Sequence, residues 1–183
     1  MRLIHTASLS AIVFLAACGG DADTNDDGTV SSEEVVAEAA GSIKPRPGQY
    51  QVTAEVLEFN MPGMPDAAKQ QMQAQMGGAA GAARPITYCL TPEQVAANGP
   101  EQMAKNMAAG NCTVARFDVS GGAISAEMQC TGVNGATSHV TMDGEMTSTG
   151  SIMTMTNEAD MQGMGKMQMK TRVTSERVGD CPT

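Results

Sequence analysis

This chain of 183 residues contains no tryptophan, three phenylalanines and two tyrosines. Whatever core it builds has few aromatic rings to draw on, the side chains that bury the most area apiece. Histidine is almost missing: His5 and His139 are the only two. That is too thin for a histidine-rich metal centre. No nucleophile elbow, phosphate loop or zinc motif occurs, and no two cysteines stand as C-x-x-C. Bases are few as well, 11 Lys and Arg against 20 Asp and Glu, for a net charge of −9. Nucleic-acid binding wants a basic patch, and none is written here. A protein that is not an enzyme is expected. Paired carboxylates are the one acid–base device left open, because separation in sequence says little about separation in space.

The compartment is read from the first residues. Arg2 followed by the mostly apolar Leu3 to Leu15 forms a signal peptide over 1–17, too short to cross a membrane. Leu15-Ala16-Ala17-Cys18 resembles the cleavage box of bacterial lipoproteins, so Cys18 is expected to become the acylated N-terminus. Gly19 rather than Asp follows it. By analogy with enterobacterial sorting, that favours the outer membrane, facing the periplasm. A monomer held to the membrane of the bacterial cell envelope by its lipid is the expectation. Losing Arg2 takes the 11 bases to 10 against an unchanged 20 acids. Seven of those acids lie between Asp21 and Glu38 with no base among them, so the acidity is local.

That acidic stretch holds the sharpest motif. A calcium loop of the EF-hand kind needs oxygen ligands at positions 1, 3, 5, 7, 9 and 12 and glycine at 6. A hard cation takes many oxygens, and a tight glycine turn wraps them around it. With Gly28 at position 6, Asp23, Asn25 and Asp27 fall at 1, 3 and 5. Thr29 offers its backbone carbonyl at 7, Ser31 stands at 9, and Glu34 at 12 is the bidentate carboxylate. Val30 at 8 points away from the ion. Ser31 and Glu34 also make a capping-box pair, which predicts a short helix through Val35, Val36, Ala39 and Ala40 that stops at Gly41. Cys18 to Ala22 leaves no room for an entering helix, and no second loop is present. Calcium binding is therefore expected to be weak, on the order of 0.1–1 mM. The competing reading is an acidic, solvated tether.

Besides Cys18 there are Cys89, Cys112, Cys130 and Cys181, an even set that reads as two disulfides in an oxidising compartment. Ile43 to Pro47 forms a stiff linker, dividing a tether over 18–47 from a disulfide-stapled β domain over 48–183. There Tyr50, Val52, Ala54 and Val56 alternate with polar residues in a half-buried strand that runs to about Asn60. A short helix fits 66–76 and a second strand 84–90. Thr91-Pro92-Glu93-Gln94 opens a capped helix, and 101–109 fits another. From Cys112 onward everything reads as β: 112–119, 123–130, 136–143, 148–157 and 166–177, with Asp143-Gly144 and the Gly163–Gly165 region as turns. A three-residue turn at Ser120-Gly121-Gly122 pairs 119 with 123, and hence Cys112 with Cys130. A bulge near Ala115-Arg116 would spoil that register by one. Cys89–Cys181 is the remaining bridge. The expected fold is mainly β (α+β): an antiparallel β meander forming a curved sheet or partial barrel with a helical insertion, plus the N-terminal calcium loop and short helix.

RPGQYQV at 46–52, YCLTPEQ at 88–94, NCTVARFDVSGG at 111–122, and GMGKMQMK followed by RVGDC at 177–181 together resemble the exported proteobacterial family known as domain of unknown function 3617. The resemblance covers about Pro45 to Cys181, with the four cysteines at matching positions. Tyr50 stands where the family often has tryptophan. No activity is implied, since none is assigned to the family, and the calcium loop lies outside the likeness.

Methionine is abundant, at 16 residues. Met161-x-x-Met164-x-x-Met167-x-Met169 offers thioethers that suit copper(I). Packing is the better reading, because Met153 and Met155, or Met167 and Met169, share a strand face where flexible thioethers replace aromatics. A third class is a carrier, in which a sheet lined by Met, Val and Ile holds a lipid.

Overall fold

The computed structural model describes residues 28–77, 84–97, 102, 105–106, 111–132, 136–161 and 165–182. The leader over 1–17, Cys18, Asp23, Asn25 and Asp27 lie outside these residues, as does most of the expected helix at 101–109.

Helix α1 (Ser32–Ala39) precedes strand β1 (Gly48–Asn60), helix α2 (Asp66–Gly77), strand β2 (Ile86–Leu90) and helix α3 (Pro92–Ala97). Strands β3 (Cys112–Ser120), β4 (Ala123–Thr131), β5 (Thr137–Thr147), β6 (Gly150–Met161) and β7 (Gly165–Gly179) follow. They form one antiparallel seven-stranded sheet in the order β2-β1-β7-β6-β5-β4-β3. The mainly β expectation holds. The sheet stays open, with β2 and β3 as its edges, and no barrel closes. Helix α3 starts on the expected box: the Thr91 hydroxyl accepts from the Gln94 amide at 3.2 Å, and the Gln94 side chain accepts from the Thr91 amide at 2.9 Å.

Successive strand residues face opposite sides, and directly paired residues share a side. One row across the sheet runs Phe117, Ala126, Met142, Met155, Thr171, Val56. The neighbouring row runs Asp118, Ser125, Asp143, Thr154, Arg172, Glu55. One face is thus apolar and the other polar. The driest part of the apolar face lies at the β3–β4 end, where Phe117 is 0% and Ala126 1% exposed. Val35 and Ala39 of α1 complete that cluster together with Val30 and Val114, and Val36, Val119, Met128 and Met142 pack around it. Helix α1 therefore shares the core of the sheet, although it precedes the linker. Met128 and Met142 are only partly buried at its margin, and the buried centre is Phe117 with small aliphatic residues.

The β3–β4 hairpin turns on two residues, not three: Ser120 pairs with Ala123, and Gly121 and Gly122 take φ of 58° and 93°. Positive φ at both central positions is the type I′ turn, whose twist matches the strands. This moves the register by one, and a bulge between Val114 and Arg116 moves it back, so Cys112 still meets Cys130. The pairing expected from sequence is reached through two departures that cancel. Both disulfides form, Cys112–Cys130 and Cys89–Cys181, with Cα separations of 4.0 and 5.4 Å. The second ties β2 to the residues after β7, across the intervening β1.

Asp143-Gly144 is not a turn. Strand β5 runs on to Thr147, which pairs with Gly150. Gly144 is a mid-strand glycine because β6 approaches too closely for any side chain there.

Candidate functional site

The loop residues within the described structure are Gly28 to Glu34. Gly28 takes φ 79°, in the left-handed region that glycine tolerates. A β carbon there would meet nothing within 4 Å, so the demand for glycine is conformational. Val30 is 6% exposed and makes an isolated antiparallel bridge to Val114. Its N–H donates to the Val114 carbonyl at 2.7 Å. Thr29 and Ser31, on either side, are exposed. Val114 adjoins the β3 bulge on an edge that, among the described residues, pairs with no further strand.

Ser31 is the N-cap of α1. Its hydroxyl accepts from the Glu34 amide at 3.3 Å, while Glu34 Oε2 accepts from the Ser31 amide at 2.8 Å. Glu33 and Glu34 in the first turn suit the positive end of the helix dipole. Farther along, Glu38 Oε1 accepts from the Val119 amide at 3.0 Å. Of the expected ligand positions, Thr29, Ser31 and Glu34 lie within the described residues, and the capping box holds Ser31 and Glu34 to one another. The donors there are a carbonyl, a hydroxyl and a carboxylate, all hard oxygens of the kind calcium or magnesium takes. Asp23, Asn25 and Asp27 lie outside the described residues.

Met167 and Met169 are half-buried on the apolar face, opposite Ala159 and Asn157, and Met164 is outside the described residues. His139 pairs with Glu127 at 2.8 Å on the polar face. Also on that side, a groove of about 500 Å³ is lined by Asp118, Ser125, Asp143, Glu145 and Thr154 among others. Ser125 donates to Asp143 Oδ1 at 2.8 Å, and Arg116 pairs with Asp118 at 3.3 Å. Among the described residues that line the groove there is no histidine. Sequence reasoning missed the groove. Its carboxylates sit on β3 and β5, and only the pairing register joins them; the two-residue spacing of Asp143 and Glu145 was the available signal.

A family model described as a protein of unknown function, DUF3617, matches residues 45–181. No curated protein and no solved structure matches the chain.

Proposed function

We propose that this chain, which belongs to the DUF3617 family, is a non-catalytic envelope lipoprotein that binds calcium beside its anchor. Acylated Cys18 holds it to the membrane, with the domain facing the periplasm. Asp23, Asn25, Asp27, the Thr29 carbonyl, Ser31 and Glu34 ligate the ion. The observation that carries this reading is the conformation of Gly28–Glu34: a left-handed glycine at the sixth position, an inward valine at the eighth, and a helix capped by the residue at the ninth. An acidic tether without an ion needs none of these. Calorimetric titration with calcium chloride is expected to give a dissociation constant on the order of 0.1–1 mM. Asp23→Ala and Glu34→Gln each abolish it; unchanged binding in both variants sinks the assignment.

A second reading rests on a different observation. Ile86, Tyr88 and Met155 lie on the apolar face and are 68%, 42% and 37% exposed. A lipid acyl chain is the ligand such a face suits. Mass spectrometry of the purified protein is expected to find co-purified lipid on this reading, and its absence removes it.

A further inference from the structure

We infer that the edge of β3 is the positioning half of the proposed cation site, and that ion binding and the docking of α1 are reciprocally coupled. This rests on the calcium reading above and names what holds the loop.

No second loop of the same pattern occurs in the chain. The support comes from the sheet. The peptide unit joining Thr29 to Val30 is planar and trans, so its carbonyl and its N–H point in opposite directions. That N–H is committed to the Val114 carbonyl at 2.7 Å. The Thr29 carbonyl, the seventh-position ligand, is thereby aimed away from β3, on the side opposite the sheet edge. A hydrogen bond on the N–H also polarises the carbonyl of the same peptide, which strengthens it as an oxygen donor.

Three further contacts keep the peptide there. Val30 and Val35 are buried at 6% and 1% exposure in the cluster around Phe117. The capping box fixes Ser31 and Glu34 to one another. Glu38 holds the Val119 amide at 3.0 Å. Val114 and Glu38 are thus positioning residues, acting through the Thr29–Val30 peptide and through α1 without touching the ion. A ligand that favours the seated loop stabilises the seat by the same factor that the seat strengthens the ligand.

Two variants that alter no proposed ligand test this on the protein as the cell processes it. Val35→Ala loosens the core contact of α1, and Glu38→Gln weakens the charged bond to Val119. Calcium titration by calorimetry is expected to give a dissociation constant raised about fivefold or more by Val35→Ala, and raised less by Glu38→Gln. In the wild type, hydrogen exchange at the Val30 and Val119 amides is expected to slow on adding calcium chloride. In Asp23→Ala, those amides keep the protection of the calcium-free wild type and no longer respond. If the wild type binds calcium, both variants bind it equally well and the two amides are indifferent to the ion, the coupling is wrong while the calcium reading stands. If the wild type binds no calcium, both fall together.

Discussion

Gly144 of β5 lies against the Ile152 carbonyl of β6 so closely that a β carbon at Gly144 would collide with that oxygen and lie 2.9 Å from the Met153 Cα. Backbone is what blocks the space, and backbone does not swing aside as a side-chain tip does. The residue that reads in sequence as half of an Asp-Gly turn is instead a mid-strand glycine lying against the backbone of β6.

Gly144→Ala is therefore expected to lower stability by about 1–3 kcal/mol, the usual cost of forcing extra atoms into a filled site. Gly28→Ala is a useful contrast. It meets open space and pays only for its φ of 79°, about 1–2 kcal/mol. Urea unfolding of both variants checks this; a neutral Gly144→Ala shows that β5 and β6 can part there.

The two disulfides close loops of different length, with sequence separations of 92 and 18 residues. In the chain-entropy account the long loop contributes ~4–5 kcal/mol and the short one ~3 kcal/mol. Replacing both Cys89 and Cys181 by Ala is thus expected to depress the midpoint of thermal unfolding more than replacing both Cys112 and Cys130. The reverse order shows that strain or residual structure, and not loop length, sets the balance.

Tyr50 is buried, its hydroxyl donates to the Arg46 carbonyl at 2.8 Å, and its ring stacks on Tyr88 with centroids 5.8 Å apart. Burial first, then the neighbouring Tyr88, holds its pKa above the ordinary phenol value of 10.0, with Arg177 and Arg46 pulling the other way. A raised pKa means that the folded state favours the neutral phenol. Its contribution is whole below the unfolded value and is lost as pH rises through the folded one. Melting curves across about pH 9 to 11 should therefore fall more steeply for the wild type than for Tyr50→Phe, which at neutral pH loses about 1 kcal/mol with its hydrogen bond. Parallel curves remove Tyr50 as the cause.

Much of the fold was legible because local signals agreed with the final pairing. Alternation from Tyr50 to Val56 marked β1, the Thr91–Gln94 box marked α3, and Gly121-Gly122 marked a hairpin. What failed was the part that depends on distant chain. Val35 and Ala39 stand four apart, which announces a helix face, but not that Phe117 and Ala126 will cover it. Pro45 and Pro47 read as a joint between separate parts, yet the Arg46 amide in that joint donates to the Ser148 carbonyl at 2.8 Å. The Gly28–Glu34 motif could be found from spacing alone. Its seat on Val114 could not, because it depends on a bulge at a sheet edge that only assembly of the sheet creates.

The strand order also dictates a sequence of assembly. Strands β3 to β7 each pair with their neighbours in the chain and can zip from local contacts. Strand β1 ends at Asn60, and its long partner β7 begins only at Gly165. Until then β1 has only the five pairings to β2, and a lone two-stranded ladder is marginal in water. The part of the protein made early is thus the part that sets late. Cys89 gains its partner only once Cys181, beyond β7, is in place. A chain that lacks Cys181 loses the bond that seals β2, although every residue of β2 is present.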